Sequence, residues 1–493
     1  MKIKISSLFL RKTENWIFWI LLALLVKGLF FCFLLYTNTI QHTYPGFWGA
    51  IGADTHDYLA PIENLIIKGE YTPDHRMPGY GIIYLPILLF FSKTVALNFL
   101  ITFQYLAAAV SVYLLALIAK HIFLSDKYFY VVYYLFLISV YSNFYDIFLL
   151  TESLTCSFLI FTNYFFIRAF LEKKNLCYFI SGVFLTEVIF LRPVFFPLLF
   201  LYLIMIIWNN FPVRKTVLSA ILFFTIPLSI VELGWVLHNY KQHNRIQLLM
   251  DTFLPGELNE NYYKPSLEFC QSWGGNYIWW KEGNPIRWFG VGINETGDSL
   301  DSLIKKEKIK IPKDIYTSKF NTDSLMVLRN LISEIKKEEM YSRSIEVEKK
   351  EKIVKLLFNK YTKSIKAEKS FIYNIKSRIN YCKYYFLTTR SNNPFANSKN
   401  YFFLLLKKAE FFYYGFILVS GIIGIILLII EFLKNRLILI VIGIPIYTIL
   451  IHPFVLRLIE NRYLMPSYPF LILSSGYCII HILTFLKNRL FYK

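Results

Sequence analysis

Residues 16–36 have the sequence WIFWILLALLVKGLFFCFLLY, an apolar stretch with a single charged residue, Lys27. A helix of about 20 apolar residues crosses a hydrocarbon core about 30 Å thick. Comparable stretches recur along most of the chain. The sequence therefore predicts an all-α integral membrane protein, a polytopic bundle of helices.

The composition agrees with this class. The chain has 493 residues, of which 56% are hydrophobic and 17% charged, whereas soluble domains carry about 25% charged residues. The formal net charge is +20, but the cations separate apolar stretches and do not form one basic surface. This pattern fixes orientation in a bilayer, so we expect the lipid bilayer as a partner and no nucleic acid.

Lys and Arg clusters mark the cytoplasmic ends of spans. No small-residue cleavage site follows the first stretch, so we expect it to be retained as a helix. The clusters predict about ten crossings of a cell inner (plasma) membrane, with both termini cytoplasmic. The expected spans are residues 15–37, 95–119, 128–144, 149–171, 176–191, 194–208, 216–237, 406–432, 437–455 and 463–486.

Two outer segments are more than connections. Residues 38–79 form the first outer loop, and residues 239–401 are rich in charge. We expect three parts: an N-terminal transmembrane catalytic core (1–238), a mainly helical extracytoplasmic domain (239–401) and C-terminal transmembrane helices (402–493). Helical spacing of apolar residues predicts amphipathic helices in the second part. These residues are Leu325, Leu328, Leu331, Ile332 and Ile335, and later Ile353, Leu356 and Leu357.

The first outer loop holds Asp54, Asp57 and Tyr58, which helical spacing would place on one face. An acidic residue near a helix end is commonly a cap or a solvated side chain, and that alternative stays open for each residue taken singly. A divalent metal is possible near Asp54, Asp57 and Glu152, although no ligand spacing argues for one. No other cofactor is indicated.

Further polar residues fall at the same outer membrane level in the predicted topology. Singly, each is compatible with a helix cap or a snorkelling side chain. Together they predict a functional cavity, because ionisable groups at that depth are costly unless they pair or line a wet space. The residues are Arg76, Glu152, Arg192, His238, Asn239, Glu460, Arg462 and Tyr463.

The order of these elements resembles the GT-C membrane glycosyltransferases, in particular the bacterial enzymes similar to protein O-mannosyltransferases and lipid A aminoarabinose transferases. Met77 and His238 depart from the family pattern, which often has Pro and Arg there. The resemblance rests on Asp54 to Tyr58, Ala60, Gly69-Glu70-Tyr71, Arg76-Met77-Pro78-Gly79-Tyr80, Thr151-Glu152, Arg192-Pro193, Trp235 to Asn239, and Glu460-x-Arg462-Tyr463-x-x-Pro466.

The resemblance implies a GT-C-like bundle that transfers a sugar, with inversion, from a polyprenyl-phosphate donor on the extracytoplasmic face of the cell envelope. Polyprenyl phosphate leaves as a stable anion, so the reaction needs one general base and cations around the phosphate. Asp54 is the expected base and Asp57 its rival.

The other candidates receive binding roles. Arg76, Arg192 and Arg462 suit phosphate oxygens through their forked guanidinium groups. Glu152 and Glu460 would orient these arginines or bind sugar hydroxyls. The remaining substrate-binding candidates are Tyr58, His238, Asn239 and Tyr463, with Trp48 and Trp235 as walls of the sugar and lipid paths.

Two other functions compete with this one. A transporter or flippase for lipid-linked sugars would also use intramembrane charges. An oligosaccharide polymerase or ligase would depend on the large outer loop and not on Asp54. The sugar stays open, and the acceptor could be a glycan, a lipid or a protein.

Overall fold

The structure is a computed structural model and describes residues 13–36, 45–52, 54–73, 76–210, 213–249, 261–277, 284–291, 311–339, 344–387, 401–433, 435–458 and 460–491. Helices dominate these ranges. The N-terminal cations Lys2, Lys4, Arg11 and Lys12 lie outside them.

Internal contacts divide the chain into two units. The first consists of Met1–Phe253, Thr389–Thr448 and Arg462–Lys493, and the second of Leu254–Thr388 and Ile449–Asn461. The division into parts at 238/239 and 401/402 stays a prediction.

The first unit is a bundle of apolar helices. Eight helical segments within the described ranges are long and apolar enough to span a membrane, and the shorter Asn175–Leu191 is also apolar. The chain is thus a multi-pass membrane protein, as its composition predicts. Its helices are α1 (Trp16–Tyr36), α2 (Thr55–Lys68), α3 (Gly81–Leu88), α4 (Lys93–Phe123), α5 (Asp126–Leu137), α6 (Val140–Tyr145), α7 (Thr151–Glu172), α8 (Asn175–Leu191), α9 (Leu198–Asn210) and α10 (Arg214–His243), and, after the second unit's main segment, α16 (Tyr401–Glu431), α17 (Ile438–Ile449) and α18 (Tyr468–Phe491).

One expected span, residues 128–144, is not a continuous helix. It is divided into α5 and α6, because Ser139 adopts an extended backbone and its hydroxyl accepts a hydrogen bond from the backbone N–H of Ser142, which caps α6. The short α3 holds the apolar run after Tyr80 and is too short to cross a bilayer. Ten crossings therefore stay a prediction.

The predicted spans 176–191 and 194–208 imply a break at Arg192-Pro193, and the structure confirms it. Arg192 is extended, with φ −148° and ψ 94°, and a 3₁₀ turn follows at Pro193–Phe195. A residue before proline avoids the helical conformation, so α8 ends at Leu191. This break fixes Arg192 at the end of an apolar helix.

Small residues allow close helix contacts in the first unit. A Cβ at Gly424 of α16 would lie 2.0 Å from the carbonyl oxygen of Ser474 in α18. The hydroxyls of Ser420 and Ser475 are hydrogen-bonded nearby at 2.6 Å. Such contacts between small residues are common where helices associate in membranes.

Lys27, the single charge of the first stretch, is buried against a polar group. Its Nζ donates to Asn143 Oδ1 and to Asp146 Oδ2, each at 2.6 Å. Ser153 donates to the other oxygen of Asp146, Oδ1, also at 2.6 Å. The structure thus supplies the intramembrane partner that a charged residue in a span requires.

The second unit is helical around an aromatic core that includes Phe269, Phe289, Phe320 and Phe358. Its helices are α11 (Tyr263–Trp273), α12 (Pro285–Trp288), α13 (Thr322–Glu339), α14 (Ile345–Glu368) and α15 (Ser377–Leu387), with a π-helical turn at Ile372–Lys376 before α15. A second π-helical segment, Leu450–Leu456, belongs to this unit and follows α17.

Both α13 and α14 have a buried apolar face, as predicted, but only in α13 do most of the predicted residues belong to it. Leu325, Leu328, Ile332 and Ile335 are buried, as expected. In α14, Leu357 packs against the core, whereas Ile353 and Leu356 are exposed. The buried face of α14 instead follows another helical phase, whose aromatic members fill the core: Val347, Val354, Phe358, Tyr361 and Ile365.

Candidate active site

The segment between α6 and α7, residues 146–150, carries the candidate site of the first unit. Ala50 exchanges backbone hydrogen bonds with Ile147 and Leu149 at 2.9 and 3.0 Å. The hydroxyl of Thr55, at the start of α2, donates to the carbonyl oxygen of Leu149 at 2.7 Å. The loop before α2 is thereby held next to the N-terminus of α7.

Gln104 of α4 fixes the same segment from inside the bundle. Its fully buried amide nitrogen donates to the carbonyl oxygens of Tyr145, Asp146 and Phe148 at 3.3, 3.0 and 2.7 Å. A buried carbonyl without a partner is costly, so this one side chain stabilises a non-helical stretch within the bundle.

Asp54 stands at the N-cap position of α2, yet its side chain makes no capping hydrogen bond. Its Oδ2 instead accepts from Nη1 of Arg462 at 2.6 Å. The two side chains are 24% and 19% exposed. The Asp54 carboxylate therefore does not cap the helix. It forms an ion pair with an arginine near the C-terminal end of the chain.

Glu152, in the first turn of α7, lies between two arginines. Its Oε1 is 2.5 Å from Nη2 of Arg192 and 3.8 Å from Nε of Arg462. Arg192 also donates from Nε to the Thr151 hydroxyl at 3.0 Å. Glu152 is almost fully buried, so these cations compensate a charge that would otherwise be costly.

Tyr463 adds an aromatic face to both arginines. The guanidinium carbons of Arg192 and Arg462 lie 5.5 and 5.4 Å from the centre of its ring. Both distances are within the range of cation–π attraction. We call Asp54, Glu152, Arg192, Arg462 and Tyr463 the charge network; its formal charges alternate and sum to zero.

A second cluster surrounds Arg76. Its Nη2 is 3.6 Å from Oδ2 of Asp57, and its guanidinium carbon is 4.7 Å from the ring centre of Tyr58. Tyr58 stacks on Tyr80, whose hydroxyl donates to Gln104 Oε1 at 3.3 Å. Burial raises the pKa of Tyr80 well above its ordinary value, and the negative charge of Glu152 raises it further. A charge of the charge network, that of Glu152, therefore acts on Tyr80 in the Arg76 cluster.

His238 and Asn239 lie at the end of α10. The His238 ring stacks on Trp235 at 5.0 Å, and Tyr71 meets both rings edge-on at 5.8 Å. The Tyr71 hydroxyl donates to the backbone oxygen of Arg76 at 2.9 Å. Asn239 donates to the backbone oxygen of Gln247. These residues support the Arg76 loop and hold the chain after α10.

Gly79 lets the Arg76 loop reach the end of α8. A Cβ at this position would come within 2.7 Å of the backbone of Phe190 and Leu191. Any larger residue would push the loop away from Arg192, the next residue along the chain.

The structure does not bring every candidate together. Glu460 belongs to the second unit, so its place beside the arginines stays a prediction. Trp48 contacts Phe31, at a ring distance of 5.7 Å. Within the described ranges, no group of three or more His, Cys, Asp or Glu side chains is positioned to hold a metal ion. Asp54, Asp57 and Glu152 therefore do not form such a group.

Sequence reasoning missed three supporting residues. Gln104 and Thr55 belong to no recognisable motif, because each donates a hydrogen bond to backbone oxygens distant in sequence. Asp146 had a usable signal: it is the only acidic residue between Asp126 and Glu152, and a lysine inside a span needs a partner.

No family model, no curated protein and no solved structure matches the chain.

Proposed function

We propose that this protein is an inverting membrane glycosyltransferase, which moves a sugar from a polyprenyl-phosphate donor to an acceptor on the extracytoplasmic face. The observation that supports it most is the Asp54–Arg462 pair at 2.6 Å, joined through Glu152 to Arg192. It combines a partly exposed carboxylate with two arginines, the groups that such a transfer requires.

The chemistry needs little else. The acceptor oxygen bonds to the anomeric carbon while the bond from that carbon to the phosphate oxygen breaks. The electron pair of the broken bond stays on polyprenyl phosphate, which leaves as an anion. The acceptor proton passes to the carboxylate of Asp54, the general base.

The pairing of Arg462 suggests how donor binding prepares the base. In the resting protein Arg462 neutralises Asp54. A donor phosphate competes for the same guanidinium, because arginine binds phosphate with its fork of donors. When Arg462 turns to the phosphate, Asp54 is released to accept the acceptor proton. Glu152 keeps both arginines in position meanwhile.

The test compares two neighbouring carboxylates in the purified full-length protein. Asp54→Asn is nearly isosteric and removes the base, so we expect sugar transfer from a labelled polyprenyl-phosphate donor to fall by about a hundredfold or more. Donor binding should persist. Asp57→Asn is the matched control, since the 3.6 Å contact of Asp57 with Arg76 is longer than the 2.6 Å contact of Asp54 with Arg462, and its loss of transfer should be smaller.

Three results would count against this assignment. If Asp57→Asn abolishes transfer and Asp54→Asn does not, the base is Asp57. If both variants stay active, the transferase mechanism is wrong. Retained transport in both would favour the transporter alternative, which the buried carboxyl of Glu187 inside α8 supports.

The extracytoplasmic orientation needs a separate test. Lys355 is exposed on α14 in the second unit. A Lys355→Cys variant in intact cells should react with a membrane-impermeant thiol reagent above the background of the unaltered chain. Reaction only after lysis would put residues 239–401 in the cytoplasm and move the proposed chemistry to the other face.

A further inference from the structure

Three cations of the second unit converge on one tyrosine. The guanidinium carbon of Arg457 lies 4.7 Å from the ring centre of Tyr373, and that of Arg378 lies 5.1 Å from it. The Nζ of Lys366 is 5.7 Å from the same centre. These side chains come from three segments: the end of α14, the start of α15 and the residue after Leu450–Leu456.

No carboxylate in the described part of the chain forms an ion pair with these three cations. Two carboxylates of the second unit are engaged elsewhere: Asp314 pairs with Lys376, and Glu368 accepts from the backbone and hydroxyl of Ser318. Arg378 and Arg457 bind neutral groups, the backbone oxygens of Tyr373 and Gln271 respectively. Among the described residues, the three positive charges of the cluster therefore have no carboxylate in an ion pair with them.

The charges perturb one another. Burial and the neighbouring Arg457 lower the pKa of Arg378. Burial would raise the pKa of Tyr373, but the hydrogen bond and charge of Arg457 and the charges of Lys366 and Arg378 bring it below its ordinary value. Both effects are what a missing counter-anion would produce.

Exposed apolar side chains lie on or beside two of the three segments that carry the cluster. Phe371, Ile375 and Ile379 recur at four-residue intervals and are 66%, 48% and 50% exposed. Phe454, Val455 and Leu456 are also exposed, and they end an apolar segment, Ile438–Leu456, that is long enough to span a bilayer. Arg457 follows that segment directly, and basic side chains at the end of a membrane span commonly lie among lipid head groups.

We infer that Lys366, Arg378 and Arg457 bind the phosphate of an anionic phospholipid head group, with the neighbouring apolar side chains against its acyl chains. Charge complementarity selects an anion, and arginine forks suit phosphate oxygens. The apolar side chains select a lipid over a free ion. None of these residues belongs to the charge network of the first unit, and the test of this site does not depend on transfer activity.

The experiment titrates the purified full-length protein in uncharged detergent with a short-chain phosphatidylglycerol and counts bound lipid by native mass spectrometry. Three matched titrations use short-chain phosphatidylcholine, glycerol phosphate and inorganic phosphate. We expect saturable binding of phosphatidylglycerol and at least tenfold weaker binding of the other three. Glycerol phosphate or inorganic phosphate binding as tightly as the lipid would overturn the lipid assignment.

Variants identify the site. Arg378→Gln/Arg457→Gln should weaken phosphatidylglycerol binding by about tenfold or more, the scale of one lost charged hydrogen bond. Lys366→Gln removes an exposed charge with no effect expected on folding and should weaken binding by about threefold. Lys355→Gln removes the same charge elsewhere on α14 and should bind normally. Equal affinities in Lys366→Gln, Lys355→Gln and the unaltered protein would overturn the site, even if the double variant does not fold.

Discussion

The first unit contains two aspartate–cation pairs with the same 2.6 Å contact and different surroundings. Lys27 and Asp146 are 2% and 5% exposed, and both oxygens of Asp146 are occupied, by Lys27 and Ser153. Arg462 and Asp54 are 19% and 24% exposed, and Arg462 is also close to Glu152. The distance between the two charges therefore does not distinguish the roles of these pairs. Solvent exposure and a second available partner distinguish an ion pair that can exchange partners from one that is structural.

The two pairs are connected through the segment after α6. Asp146 begins this segment, and its backbone oxygen accepts from Gln104. Leu149 and Glu152 then place the Asp54 loop and the arginines. We call Lys27–Asp146 the closed pair and Asp54–Arg462 the open pair, and we expect the closed pair to hold the geometry on which the open pair depends. Breaking the closed pair should therefore reduce stability, and breaking the open pair should reduce function.

The largest effect is expected from breaking the closed pair. Lys27→Met leaves Asp146 charged and buried, which should cost about 3–5 kcal/mol of unfolding free energy. Thermal or denaturant unfolding in detergent measures the loss. Lys93→Met is the matched control: it breaks a contact of similar length with Glu63, but Lys93 is largely exposed, so its cost should stay below about 1 kcal/mol.

A double variant sharpens this result. Lys27→Met/Asp146→Asn removes both charges and retains a group that can accept from Ser153. It should recover more than half of the stability lost in Lys27→Met, because the desolvated charge is gone. No recovery would mean that Lys27 stabilises by packing, for example against Phe136, and not by pairing.

Breaking the open pair should instead reduce activity. Arg462→Ala should lower transfer by about a hundredfold, the scale for removing an electrostatic group from a reacting phosphate. Arg462→Lys retains the charge but loses the fork and should be intermediate. Initial rates at several donor concentrations, with expression and unfolding checked, separate the two. Normal rates in both variants would exclude Arg462 from the site.

The contrast between the pairs also explains what the sequence could predict. Helical class, the break at Arg192 and the need for a partner at Lys27 depend on local composition, and the structure agrees with each. The Asp54–Arg462 contact joins residues 408 positions apart. Only helix packing sets such a contact. The division of the predicted span at Ser139 depends on one capping hydroxyl. A prediction from apolar content alone does not detect such a cap.

A smaller effect is expected at the ring shared by the arginines. Tyr463→Leu removes the aromatic face from Arg192 and Arg462, which should reduce transfer by about two- to thirtyfold given cation–π energies of about 0.5–2 kcal/mol. Tyr463→Phe retains the ring and should keep most activity. If Tyr463→Phe loses as much as Tyr463→Leu, the hydroxyl and not the ring is required.

The smallest effect should come from another carboxyl, which is buried like Asp146 and not partly exposed like Asp54. Glu187 of α8 is 8% exposed, and neither of its oxygens has a hydrogen-bond partner in the ranges that the structure describes. Unlike Asp146, it gains nothing that offsets its burial, so replacing it with an apolar side chain of similar length should not destabilise the bundle. We expect Glu187→Met to change the unfolding free energy by less than about 1 kcal/mol, in the stabilising direction. Transfer should also be unchanged, because Glu187 forms no hydrogen bond with the proposed reacting groups among the described residues. Loss of activity with stability retained would instead make Glu187 a functional group inside the membrane and shift the balance toward the transporter alternative.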